Sequence, residues 1–202
     1  VVTSKITTTV QTTTTQQVSI ANETAVSTTS SGTSVAQATA AASSSQNQSK
    51  YEANVAGVAG KMDNRVIAAY QQLGFKLVVD PSVNYSGYFD ARSRSITMKQ
   101  IDDSVYHELG HFLAFIAGNV DKTASFQSIF VAEKANVTAF NKAYVTQNAS
   151  EYFAESVKDY ILNNASLKNT RPQTYAAVQN ALNQITDAQI AKIQKIYGAF
   201  WN

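Results

Sequence analysis

VYHELGHFLAFIA, residues 105–117, is the stretch that decides the fold. It holds the chain's only two histidines, His107 and His111, four positions apart with Glu108 beside the first. Four residues make about one helical turn, so both imidazoles project from one face and can grip a single metal ion, while Glu108 is angled toward a metal-bound water. The remaining positions, among them Val105, Leu109, Phe112, Leu113, Phe115 and Ile116, are apolar on nearly all sides, which predicts a buried helix. Two histidines and a glutamate inside a buried helix require partners, and a metal with its water supplies them. A helix carrying two solvated histidines would instead show a polar face around them.

Composition narrows what such a site can be. The 202 residues suit one domain of ordinary size plus an extension. A net charge of +2 with 15% charged residues gives no basic footprint for nucleic acid. There is no cysteine, which excludes disulfides, thiol nucleophiles and cysteine-ligated zinc, including HExxH enzymes whose third ligand is a cysteine. No apolar run approaches the roughly 20 residues of a membrane span. For a sequence that begins at Val1, the expectation is that any export signal has been removed or was never part of it.

Upstream of the histidine helix, residues 1–50 are Thr, Ser, Ala and Gln with no aromatic residue, in runs such as ITTTVQTTTTQQ. Such composition offers too little apolar surface to offset the entropy of ordering it, so a flexible or glycan-decorated stalk is expected. The domain proper is expected over 51–202. Residues 51–73 carry Val55, Val58, Met62, Val66, Ala69 and Tyr70 at helical spacing, which predicts one amphipathic helix stopped at Gly74. FKLVVD then predicts a short strand, and Pro81 with residues 84–87 a turn. SRSITMK, with Ile96 and Met98 on one side, predicts a strand feeding the histidine helix, its free edge open to an extended peptide. Asp102, Asp103 and Ser104 supply the helix cap.

Downstream, residues 125–134, 150–162, 172–185 and 187–200 show helical apolar spacing with caps or turn residues between them. The expected fold is therefore α+β, mostly helical with a small sheet of few strands.

A catalytic zinc usually takes three protein ligands and leaves a position for water, and with no third histidine the third must be a carboxylate. The metzincin pattern would place Gly at 114 and His at 117, and both are alanine. Asp121, Glu133, Glu151, Glu155 and Asp159 are available. Glu151 and Glu155 stand out in SEYFAES, four apart on one helical face between the core anchors Tyr152 and Phe153. Two carboxylates so placed repel each other, Lys158 can help only Glu155, and a bound cation resolves the conflict. One can ligate the metal while the other accepts the far N–H of a ligating histidine.

HELGH followed 44 residues later by EYFAES resembles the anthrax lethal factor catalytic domain and its small secreted relatives, the Pro-Pro endopeptidases. FQSIFVAEKA and RPQTYAAVQNAL are similar to that family's flanking helices, so the resemblance covers about residues 95–182. It implies a zincin-like metallopeptidase fold with an edge strand beside the HExxH helix. It also implies zinc (Zn2+) held by His107, His111 and Glu151, with Glu108 as general base. A tyrosine seven residues before the third ligand stabilises the oxyanion in that family, and Tyr144 stands there; Glu155 is implied as a supporting residue behind the ligands or as a lining of the cleft. The implied chemistry is peptide hydrolysis, with a proton passing through Glu108 to the leaving amine. One departure bears on substrate: the Pro-Pro enzymes use a tryptophan before the metal helix, and the only tryptophan here is Trp201.

The expectation is thus a secreted or cell-surface bacterial zinc endopeptidase, monomeric, acting on a protein or peptide substrate, with a proline-directed preference as its narrower form. The alternative is a non-enzymatic, surface-displayed binding module with a degenerate protease fold. A structural zinc normally has four protein ligands, and two histidines without cysteine favour the open, catalytic kind.

Overall fold

The computed structural model describes residues 49–201, so the stalk expected at 1–50 lies outside the described residues apart from its last two positions. The chain runs β1 (Tyr51–Ala53), α1 (Val55–Val58), α2 (Asn64–Gln72), β2 (Lys76–Val79), β3 (Gly87–Asp90), β4 (Ser95–Met98) and α3 (Ser104–Ile116). It continues through α4 (Ala124–Glu133), α5 (Lys142–Val145), α6 (Ala149–Leu162), α7 (Asn164–Thr170), α8 (Pro172–Asn183) and α9 (Asp187–Trp201). The architecture is α+β and mostly helical.

The single helix expected over 51–73 is three elements. Asn54 breaks it first, its side chain accepting from the N–H groups of Ala56 and Gly57, and Asp63 caps a fresh helix by accepting from Arg65 N–H. Both side chains offer the backbone a local bond that an uninterrupted helix would forbid. Gly74 does stop α2, at φ +73.

Among the described residues the strands form one sheet in the order β1-β2-β4-β3, parallel between β2 and β4 and antiparallel elsewhere. This corrects the expected edge: β4, the strand feeding α3, is paired on both sides, and the free edge beside α3 belongs to β3. The reason is local. Asp90 accepts from Arg92 N–H and Ser93 Oγ, and Arg94 turns the chain at φ 53, folding β3 and β4 into a hairpin. Leu77 pairs with Ile96 and Val79 with Met98, so all four bury on one face of the sheet.

That face packs on an aromatic cluster of Tyr70, Phe75, Phe89, Phe112 and Phe115. Trp201, at the end of α9, closes it: the indole is edge-on to Phe75, donates from Nε1 to Ala91 O at 2.9 Å and carries the Arg94 guanidinium 5.5 Å above it.

The main partner of α3 is α6. Their backbones touch where Gly110 meets Ala154: a Cβ on Gly110 would lie 2.7 Å from Ala154 O and 2.8 Å from its Cα. The absence of a side chain here is what lets two buried helices carrying polar groups come face to face.

Candidate metal centre

α3 starts after Asp102, whose Oδ1 accepts from Ser104 N–H at 2.9 Å, while Asp103 in the N-cap position makes no such bond. The helix is buried along nearly its whole length, with His107 and Glu108 each 7% exposed. α6 is capped by Asn148, which accepts from Glu151 N–H, and it turns Glu151 and Glu155 toward α3.

His107 stands between these two glutamates. Its Nδ1 lies 2.9 Å from Glu155 Oε2 and its Nε2 lies 3.1 Å from Glu151 Oε2, which is also 3.7 Å from His111 Nε2. A carboxylate only accepts, so the bond to Glu155 puts the hydrogen on Nδ1 and leaves the Nε2 lone pair facing the Glu151 carboxylate. In the neutral imidazole two acceptors face each other there, a conflict that a second proton on His107 or a metal ion between the two relieves. One ligand atom from each of His107, His111 and Glu151 falls within 4.8 Å of the other two, which makes these residues a possible metal site. The donor set, two imidazoles and a carboxylate with no thiolate, suits zinc.

The electrostatics agree. Burial alone would lower the basicity of His107, but the bonds to Glu151 and Glu155 overcome it and raise the pKa to about 9. Burial works against ionisation of Glu151, yet His107 and His111 hold its carboxyl far below the usual range. Glu155 is likewise lowered against burial, by His107 and by Lys158, whose Nζ is 3.5 Å from Oε1. Glu108 goes the other way: burial raises it, and the neighbouring histidines only partly offset that. Glu108 on α3 and Glu151 on α6 are thus pushed in opposite directions, a pattern typical of working sites.

Tyr144, on the short α5, is 53% exposed, and its ring centre is 6.5 Å from that of His107. Burial of the hydroxyl and the charges of Glu151 and Glu108 push its pKa up to about 12, so it remains a hydrogen-bond donor. A cleft of about 360 Å³ opens onto the centre, lined by Tyr85, Gly87, Ser104, Asn141, Tyr144 and Lys158 together with Glu108, His107 and Glu155.

The structure therefore gathers all six residues singled out from the sequence: His107, Glu108, His111, Tyr144, Glu151 and Glu155. The other carboxylates considered are occupied elsewhere. Asp121 accepts from Ser150 Oγ, Glu133 accepts from the N–H groups of Gln173 and Thr174 at the start of α8, and Asp159 pairs with Arg171. Tyr85 and Asn141 carried no functional signal in the sequence, because what they face lies on other elements, and Gly87, expected in a turn over 84–87, instead opens β3. A roomier cleft of about 720 Å³, with Val120, Ile129, Ala177 and Lys192 in its lining, contains neither histidine nor carboxylate. No helix among the described residues is long and apolar enough to cross a membrane.

The family model described as anthrax toxin lethal factor, N- and C-terminal domain, matches residues 44–181. No curated protein matches the chain.

Proposed function

The chain belongs to the anthrax toxin lethal factor family, and from that premise we propose that it is a secreted or surface-held zinc endopeptidase acting on an extended peptide. The observation that carries the reading is the convergence of His107, His111 and Glu151 within 4.8 Å, beside a buried Glu108 and the hydroxyl of Tyr144. The proposed division of the chain is a Thr/Ser-rich stalk or linker at 1–50 and the peptidase domain at 51–202.

In this reading His107 Nε2, His111 and Glu151 hold the metal, and Glu155 fixes His107 in the tautomer that leaves Nε2 free. Zinc bound there supplies Lewis-acid polarisation of the scissile carbonyl and of the attacking water. Glu108, raised by burial, takes a proton from water and delivers it to the leaving amine. The Tyr144 hydroxyl donates a hydrogen bond to the carbonyl oxygen as negative charge develops on it. β3, an edge strand beside α3, offers backbone groups with which an extended peptide can pair. Aromatic rings bound the cleft, Tyr85 from the strand side and Tyr144 from α5, and Tyr88 lies 5.9 Å from Tyr85. Such surfaces accept proline rings, which supports the narrower, proline-directed form of the proposal.

The test is zinc content together with cleavage of a quenched peptide library, for the parent protein and Glu151→Ala. About one zinc per chain with chelator-sensitive cleavage, both lost in the variant, is the expected result. Absence of both from the parent protein would leave a binding module as the better reading.

A further inference from the structure

Gly87 lies in β3, where its φ is not left-handed, so the backbone does not call for glycine there. Glycine inside a strand weakens it and usually marks the close approach of another group. The approaching group here is a single side chain. A Cβ on Gly87 would stand 2.6 Å from Glu108 Oε1, 2.7 Å from its Cγ and 2.9 Å from its Cδ, and these are its three nearest neighbours. Gly110 is different, because a Cβ there meets only the backbone of Ala154.

We infer that Gly87 is a positioning residue: the missing side chain leaves a notch in the edge strand that seats the Glu108 carboxyl and sets its direction into the cleft. Glutamate has three rotatable bonds, and burial at 7% exposure does not by itself select one arrangement. The notch does, because the far half of the side chain lies against the strand with no Cβ between them. The three atoms that a methyl group at 87 would meet first all belong to this movable side chain, so the fold survives and the carboxyl is displaced. Calling Glu108 a base rests on the peptidase reading; the notch itself does not.

The test compares Gly87→Ala, Glu108→Ala and the double variant with the parent protein, by melting temperature, zinc content, affinity of the zinc-loaded protein for acetohydroxamate, and peptide cleavage. Gly87→Ala is expected to lower the melting temperature only while Glu108 is present, the effect disappearing in the Glu108→Ala background. With zinc content unchanged, kcat should fall on the order of 10- to 100-fold with KM little altered, and hydroxamate affinity should fall with it. If Gly87→Ala fails to fold but the double variant folds, the inference is equally supported. Equal destabilisation in both backgrounds would overturn it, showing that the strand itself needs glycine. So would a Gly87→Ala protein that binds hydroxamate and cleaves peptide like its parent. If the parent cleaves nothing, the peptidase reading fails by itself, and the melting-temperature cycle still decides the role of Gly87.

Discussion

Replacing Gly110 by alanine tests whether the α3–α6 contact sets the spacing of the metal site. The new Cβ would sit 2.7 Å from Ala154 O, 2.8 Å from Ala154 Cα and 3.1 Å from its carbonyl carbon, where carbon contacts settle at roughly 3.5 Å. All three atoms are backbone in a fully buried part of α6, so neither helix can relieve the clash by turning a side chain. The helices must part by about 0.7 Å. Alanine gains about 1 kcal/mol over glycine in helix propensity, while overpacking a tight interior costs about 1–3 kcal/mol. With only backbone to yield, the upper part of that range applies, leaving a net loss of about 2 kcal/mol. For a domain of this size that is a fall of roughly 4–8 °C in melting temperature. The larger effect falls on the metal, because His107 and His111 ride on one helix and Glu151 on the other, and ligand distances tolerate only about 0.2 Å. Zinc affinity should drop about 10- to 100-fold. The assays are thermal melting of the zinc-free protein and zinc competition against a fluorescent chelator. Gly198→Ala in α9 is the control, since a Cβ there meets nothing within 4 Å, and it should stabilise by about 1 kcal/mol. A Gly110→Ala protein that gains stability like the control and binds zinc normally would refute the reasoning.

Two further outcomes follow from the same geometry. His107, raised to about 9 from an ordinary 6.5, gives the zinc-free protein stability that is complete below pH 6.5 and lost as pH rises through about 9. Zinc competes with that proton, so its affinity should climb by up to about tenfold per pH unit across this window, and a flat profile in chelator competition would show that His107 is not a ligand. Tyr144→Phe removes a hydrogen-bond donor that is half exposed and packs little, so zinc content and melting temperature should hold while kcat falls about 10²–10³-fold. Steady-state kinetics showing an unchanged kcat would assign Tyr144 to packing alone.

Much of the site was legible because its residue types are scarce and its spacing is helical. Two histidines in the whole chain, four apart, can serve one centre only from a helix, and Glu151 and Glu155 repeat the same four-residue interval on the partner helix. The helices after α3 were legible for a related reason: α4, α6, α8 and α9 are long enough for an apolar repeat to declare itself. α5 and α7 are not. The misreadings fall where local bonds outrank periodicity. Val55, Val58, Met62 and Val66 keep helical spacing straight through a break that Asn54 and Asp63 impose with their side chains. β3 offers only four residues, with Tyr88 and Phe89 adjacent rather than alternating, so nothing marked it as the edge strand. The seat of Glu108 on Gly87 was invisible in principle, since the two are 21 positions apart and glycine has no side chain to suggest a partner.

The indole at the end of α9 has a consequence for the order in which the domain can be completed. Trp201 bonds to Ala91, 110 positions away, and its ring stands over Phe75 and Phe115 near the sheet. Contacts so distant along the chain form late, and elements held by few of them open early. Until the last helix docks, the aromatic centre beneath the sheet remains wet on one side, and the hairpin between β3 and β4 lacks the bond that ties its turn down. Removing the final turn of α9 would therefore leave the edge strand beside Glu108 without its anchor.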